Sequence, residues 1–298
     1  MTGFRVPAGP GEVLLQVASA SHAGMVRTVN EDSLLAEPPV FAVADGMGGH
    51  AFGDRASATA VLALHEEFDP EQATDAGHVL AAIRRANSAV RELTAWAAGG
   101  TQLIAGTTLT GVALVVEHPG SVPHWMVFNL GDSRVYRWNA AAPALERVSV
   151  DHSVVQELLD AGLIDEQGAR RHPERNVITR ALGAADEVRA EAWLLPATET
   201  QTFLICSDGL TKELDDQRIA ELLVPVDAAE GLDAAVDRLV AAALAAGGAD
   251  NVSVVLVRSA YHGTLPDQPG VDAGVDEQTR ERGRSVLSPE LDDTRPRA

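Results

Sequence analysis

Five acidic sites fall where strands are expected to end, each beside a small or turn-forming residue: Asn30-Glu31-Asp32, Asp45-Gly46, Gly131-Asp132-Ser133, Asp208-Gly209 and Asp250-Asn251; the last four touch an apolar run. The run 40–44 leads into Asp45, 128–130 into Asp132 and 203–206 into Asp208, while Asp250 opens the run 252–257. Strands that share a sheet bring such ends close together, and carboxylates so gathered cannot all stay ionised without cations between them. Oxygen donors with no histidine or cysteine beside them select Mg²⁺ or Mn²⁺ over Zn²⁺. Asp-Gly is also a common turn dipeptide, and Asp and Asn cap strands and helices, so one such site alone reads equally well as a turn. Five in this placement point to a carboxylate-rich metal centre, and spacing carries the reading no further.

The elements that must position these residues follow from periodicity. Runs rich in Val, Leu and Ile at 13–18, 40–44, 107–116, 124–130, 134–138, 202–206 and 252–257 read as strands. Val79, Ile83, Ala86, Val90, Leu93 and Ala97 recur at helical steps after Asp75, a candidate N-cap, and before Gly99. A second helix uses Leu232, Val236, Leu239, Ala243 and Leu244 and stops at Gly247-Gly248, and a third spans about 54–68. The strands come in consecutive pairs with hairpin-like joints such as Pro119-Gly120, and the helices come in blocks. That order predicts antiparallel sheets flanked by helices, a layered α+β sandwich. Residues 151–183, with short helical pieces at 154–161 and 165–171 and the loop-like HPERN, form a long excursion from the sheet, a kind of segment that often carries function. From residue 262 the chain turns polar and proline-rich, which predicts a disordered tail over 262–298 and a folded domain ending near Tyr261.

Composition excludes several partners. The 298 residues are 46% hydrophobic and 22% charged, enough for a sizeable core, and the formal charge of −20 disfavours nucleic acid and anionic membrane. Of the 23 basic residues only Lys212 is a lysine, and no P-loop is present. The single cysteine, Cys206, rules out an intramolecular disulfide and a cysteine–zinc cluster and fits a reducing compartment. No apolar signal-like stretch opens the chain and no 18-residue apolar run occurs, so a cytoplasmic protein without a membrane span is expected.

The strings GMVRTVNEDS (24–33), VADGMGGHAFGD (43–54), GTTLT (106–110), NLGDSRVYR (129–137), DHSVVQELLDAG (151–162), HPERNVITRALG (172–183), CSDGLT (206–211) and ADNVSVVLV (249–257) follow one another in this order. Together they resemble the metal-dependent type 2C (PPM) serine/threonine protein phosphatases, in particular the bacterial branch, over about residues 12–258. The resemblance implies a four-layer α-β-β-α sandwich, a phosphatase domain at 12–261 with a flap at about 151–183, and an N-terminal extension at 1–11. It further implies two Mn²⁺ or Mg²⁺ ions with a third beside them. Asp45 would bridge two ions, with the Gly46 carbonyl and Glu31 serving the second, directly or through water, and Asp208 and Asp250 the first. Asp132 with Asp208 would support the third ion, Asp32 would act beside the site or through water, and Arg27 would bind the substrate phosphate. A water activated between the ions would attack phosphorus in line, with no covalent phosphoenzyme. The implied partners are phosphorylated proteins, substrates of Ser/Thr kinases. A catalytically silent phosphoprotein-binding module is the alternative, against which the complete set of acidic residues argues.

Met47 departs from many eukaryotic members, which carry a histidine there as the proposed acid for the leaving alkoxide. A metal-bound water then stands first as the acid, with His50, His152 or His172 behind it. Cys206, inside an apolar run, reads as a buried hydrophobe, and Ser133 and Ser207 read as turn residues. Arg170, Arg171, Arg175 and Arg180 lend the flap a positive character suited to a phosphorylated partner.

Overall fold

The computed structural model describes residues 2–48, 52–97, 105–139, 144–224, 231–264 and 285–286. In chain order come β1 (Thr2–Ala8), β2 (Gly11–His22), β3 (Asp32–Glu37) and β4 (Val40–Met47), then α1 (Gly53–His65) and α2 (Ala76–Ala97). β5 (Gly106–Thr107), β6 (Leu109–Val115), β7 (His124–Leu130), β8 (Arg134–Asn139) and β9 (Ala144–Arg147) follow. Two short helices, α3 (Val154–Asp160) and α4 (Glu166–Arg171), precede β10 (Glu191–Pro196) and β11 (Gln201–Cys206). After them come α5 (Asp208–Thr211), α6 (Asp216–Leu223), α7 (Leu232–Ala246), β12 (Val252–Gly263) and β13 (Ser285–Val286).

These strands form two sheets, ordered β1-β2-β12-β11-β8-β9 and β13-β10-β7-β6-β4-β3, with β5 paired to β4. The central strands are buried on both faces, which is why their sequences are nearly unbroken apolar runs. The pleat sorts them into layers. Phe41 and Val43 of β4, Trp125 and Val127 of β7, Phe203 and Ile205 of β11, and Val255 and Val257 of β12 meet between the sheets. The alternate positions of β4 and β7 (Val40, Ala42, Ala44, Met126, Phe128) face α1 and α2. Leu204, Cys206, Val254 and Leu256 face α5, α6 and α7 on the opposite side. The architecture is the expected α-β-β-α sandwich. In its middle layer Trp125 packs on Phe203 and Phe41 at ring separations of 5.4 and 6.2 Å, and its indole N–H donates to Ser259 Oγ at 3.1 Å.

The three helices expected from periodicity are present, and Asp75 caps α2 by accepting the His78 N–H at 2.8 Å. Differences lie at the margins. Residues 2–8, expected as an extension outside the domain, form an edge strand whose register runs from Thr2 opposite Val17 to Ala8 opposite Gly11, with Val6 and Ala8 buried between the sheets. β12 continues to Gly263, past the expected end at Tyr261, because it stays paired with β2 as far as Gly11. Most of the tail expected to be disordered lies outside the described residues, as does His50. β3, β9, β10 and α6 went unpredicted, since each is short and leaves polar positions on an exposed or half-buried face.

Candidate metal centre and phosphate cleft

The acidic residues converge at one end of the sandwich, and both sheets supply them. Asp32 opens β3 directly opposite Asp45 on β4. Asp132 sits in the turn where the chain crosses from β7 in one sheet to β8 in the other. Asp208 starts α5 at the end of β11, and Asp250 precedes β12. Two glycines permit this convergence. A Cβ on Gly209 would stand 1.9 Å from the Asn251 carbonyl oxygen, so only glycine lets α5 press against the approach to β12 and set Asp208 beside Asp250. A Cβ on Gly46 would stand 2.1 Å from the Gly53 carbonyl oxygen and 2.5 Å from that of Glu31. Glu31 Oε1 and the Gly46 carbonyl both lie against Gly53 at the start of α1.

Neighbouring polar side chains fix the backbone that carries the acids. The Asp45 N–H donates to Thr108 Oγ1 at 2.9 Å, while the Thr107 hydroxyl and the Thr108 N–H donate to the Asp45 carbonyl, each at 2.9 Å. Thr108 Oγ1 and Ser133 Oγ share a 2.9 Å hydrogen bond, which ties the Asp132 turn to β4. Asn251 accepts the Glu31 N–H at 2.8 Å and donates to the carbonyls of Ala23 and Val29 at 2.9 Å, holding the 23–31 loop, and with it Arg27, against β12. Ser207 donates to Asp32 Oδ2 at 2.9 Å and accepts the Ser253 N–H at 3.0 Å. Thr107, Thr108 and Asn251 received no role from sequence alone. All three are buried polar residues that meet the acidic motifs only through the fold.

The electrostatics are those of crowded anions. Loss of solvent raises the Asp45 carboxyl well above the usual range, and Asp208, Asp32, Asp132 and Asp250 push it further. Asp132 is raised to about 7 by desolvation, with Asp208 and Asp151 adding and Lys212 opposing. Asp32 is raised to about 6 by desolvation and by Asp208 and Asp250, against hydrogen bonds from Ser253 and Ser207. Asp208 is raised by desolvation despite Lys212. Asp32 Oδ1, Asp132 Oδ1 and Asp208 Oδ1 are buried without a hydrogen-bond partner. Anionic oxygens left in that condition fit a cation. Among the described residues no three His, Cys, Asp or Glu side chains close into a ready-made cage. Mg²⁺ and Mn²⁺ tolerate this, because hard cations keep several waters and need few direct carboxylates.

These shifts set a pH dependence for the metal-free chain. Between about pH 4 and about pH 7 the folded state holds protons on Asp32 and Asp132 that the unfolded chain has released, so stability falls as pH rises through that window. Allowing for partial solvent contact, each group contributes on the order of 2 kcal/mol. Urea unfolding in chelator should show a lower midpoint at about pH 7.5 than at about pH 5.5, with Mg²⁺ restoring it; an equal or higher midpoint at the upper pH contradicts the crowding.

Beside the carboxylates opens a cleft of about 420 Å³ lined by Arg27, Arg175, Asn176, Gly209, Lys212 and Asp250. Arg27 Nε lies 3.0 Å from Asp250 Oδ1, and its Nη2 donates to Asp250 Oδ2 at 3.2 Å. Of the four flap arginines only Arg175 lines the cleft; Arg180 pairs with Glu191 at 3.0 Å, and Arg170 and Arg171 end α4 in solvent. His152 is buried, accepts the Gly131 N–H at Nδ1 and faces Glu191 at 3.4 Å, and His172 accepts the Glu174 N–H, so both serve local structure. Desolvation and Arg180 hold the His152 imidazole below its usual value. Met47, the last residue of β4, pairs with Gly106 of β5. Cys206 is buried, its thiol pushed up to about 12 by desolvation.

A sandwich of two antiparallel sheets between helix layers, with a carboxylate centre across one end and an arginine-lined cleft beside it, defines the metal-dependent phosphatase class. The chain belongs to the Protein phosphatase 2C family, whose pattern matches residues 25–245. It is 36% identical over 270 residues to the serine/threonine protein phosphatase PstP of Mycobacterium tuberculosis, covering 89% of this chain and 50% of that protein. The chain thus spans about half the length of that relative. It is 34% identical over 242 residues to the serine/threonine phosphatase Stp of Listeria monocytogenes, covering 78% of this chain and 92% of that protein. A solved structure of the catalytic domain of PstP in complex with two manganese ions superposes with a TM-score of 0.71 at 32% identity, over 83% of this chain and 99% of that one. Among the described residues no helix is long and apolar enough to cross a membrane.

Proposed function

We propose that this chain hydrolyses the phosphate esters of phosphoserine and phosphothreonine in proteins, acting in the cytoplasm on products of Ser/Thr kinases. The observation that carries the reading is the set of buried, unpartnered oxygens on Asp32, Asp132 and Asp208 at the edge of an arginine-lined cleft. The residues fit two divalent ions and a third. Asp208 and Asp250 would hold the first, and Glu31 with the Gly46 carbonyl the second, with Asp45 between the two. Asp132 with Asp208 would hold the third, and Asp32 would act through water. Bound there, Mg²⁺ or Mn²⁺ supplies a water made nucleophilic near neutral pH and neutralises charge on the phosphoryl oxygens.

The remaining work belongs to the side chains. The Arg27 guanidinium, braced by Asp250, presents a planar fork to the substrate phosphate at the mouth of the cleft. Ser133 and Ser207 spend their hydroxyls on Thr108 and Asp32, and the Cys206 thiol is buried away from the cleft, so no protein nucleophile faces it among these three. His152 and His172 are engaged locally and His50 lies outside the described residues, and water in the site is the acid this reading assigns to the leaving alkoxide. A silent binding module has no use for orphaned acidic oxygens that destabilise the empty site, so the catalytic reading is favoured.

The full chain should release phosphate from a phosphothreonine peptide in Mn²⁺ or Mg²⁺ and stop in chelator. Release that persists in chelator, or none with either ion, sinks the proposal. Arg27→Ala should lower kcat/KM for the peptide by about 10- to 100-fold, mostly through KM, as loss of charged hydrogen bonds to phosphate implies. Unchanged steady-state constants would remove Arg27 from the phosphate site.

A further inference from the structure

The only lysine of the chain stands among the carboxylates expected to face a cation. Lys212 follows α5 one turn after Asp208, so its ammonium reaches back to pair with Asp208 Oδ2, and it also lies 3.4 Å from Asp250 Oδ2. Asp132 contributes to the same field around the ammonium. The Asp208 and Asp250 side chains are 13% and 23% exposed, so this charge is held largely out of solvent, while the lysine side chain, 38% exposed, lines the open cleft and has room to leave.

A divalent ion on Asp208 and Asp250 would compete with the ammonium for Asp208 Oδ2 and Asp250 Oδ2; Arg27 also holds Asp250, but among the described residues only Lys212 spans both carboxylates. At contact distances the repulsion between an ammonium and a divalent ion is strong, and it is poorly screened in a partly desolvated site. We propose that Lys212 is a built-in counter-cation: it holds Asp208 and Asp250 together in the metal-free protein, and the first divalent ion must displace it into the cleft. The inference rests on the reading of Asp208 and Asp250 as ligands of one ion. Two consequences follow. The metal-free chain is protected from the full repulsion of its own carboxylates, and the first ion binds less tightly than the carboxylates alone would allow.

A single lysine makes displacement directly measurable. Acylation of the metal-free full chain by an amine-reactive ester, read by peptide mass mapping so that the N-terminal amine is counted separately, should modify Lys212 slowly. Saturating Mg²⁺ should speed that modification several-fold, and a rate that stays the same or falls overturns the proposal. In calorimetric titration with Mn²⁺, Lys212→Met should bind the first ion about tenfold more tightly than the parent chain, and Lys212→Arg within about twofold. Equal or weaker binding by Lys212→Met overturns the counter-cation role while leaving the metal centre standing, whereas no Mn²⁺ uptake by the parent chain overturns both. The acylation measurement uses the unaltered protein and so decides the matter even if the methionine variant folds poorly.

Discussion

Asp45→Asn should lower kcat by at least about 10³-fold, more than loss of a single transition-state hydrogen bond, while leaving the metal-free chain at least as stable as the parent. The two effects have one cause. Asp45 is the carboxylate on which the other acids press, with Asp208, Asp32, Asp132 and Asp250 all raising its proton affinity. Neutral asparagine keeps the shape, and its backbone stays clamped by Thr107 and Thr108, so the packing of β4 is undisturbed. What disappears is the charge that would bridge two ions. A variant that retains more than about a tenth of the parent kcat, or one whose metal-free urea midpoint falls, would remove Asp45 from the centre of the site.

Arg134→Met should cost about 3 kcal/mol of folding stability, because it strands a buried carboxylate. Asp151 is 9% exposed, and Arg134 grips it with Nε at 3.0 and 3.1 Å from its two oxygens and Nη2 at 2.7 Å from Oδ2. Arg147, at 3.6 Å, is too distant to replace that grip. The pair joins β8 to the first residue of the 151–183 segment, and the adjoining His152 exchanges two backbone-anchored hydrogen bonds with Gly131, next to Asp132. Urea unfolding measures the loss, and Arg134→Met/Asp151→Asn should recover a substantial part of it, because the stranded charge is gone. A double variant no more stable than the single one would mean that packing of the arginine, and not the ion pair, is what matters.

Much of the site was legible before any coordinates. Asp45, Asp132, Asp208 and Asp250 sit at the ends of runs whose residues are buried on both faces, and such runs are the easiest strands to recognise. Helices α1, α2 and α7 were equally visible, because each buries one stripe against a sheet. The residues that hold the acids in place were not. Thr107 and Thr108 act on Asp45 across about sixty positions, and Asn251 acts on Glu31 across more than two hundred, so no local pattern announces them. Lys212 was noticed only for its rarity; its pairing with Asp250 depends on where α5 and β12 meet. The strand at Thr2–Ala8 escaped because the alternation that betrays it, Phe4, Val6 and Ala8, is short and interrupted by Arg5 and Pro7.

The sorting of β4 into layers has a hereditary consequence. Asp45 has the same parity as Phe41 and Val43, which face the seam between the sheets, and not that of Ala42 and Ala44, which face the helices. One alternation therefore packs the middle of the protein and aims its central carboxylate. An inserted or deleted residue between Phe41 and Asp45 would break that shared parity, so that either the aspartate turns toward the helix layer or the phenylalanine leaves the seam. A change of length in this strand thus costs either the packing of the seam or the aim of the carboxylate, whereas a substitution leaves both registers in place.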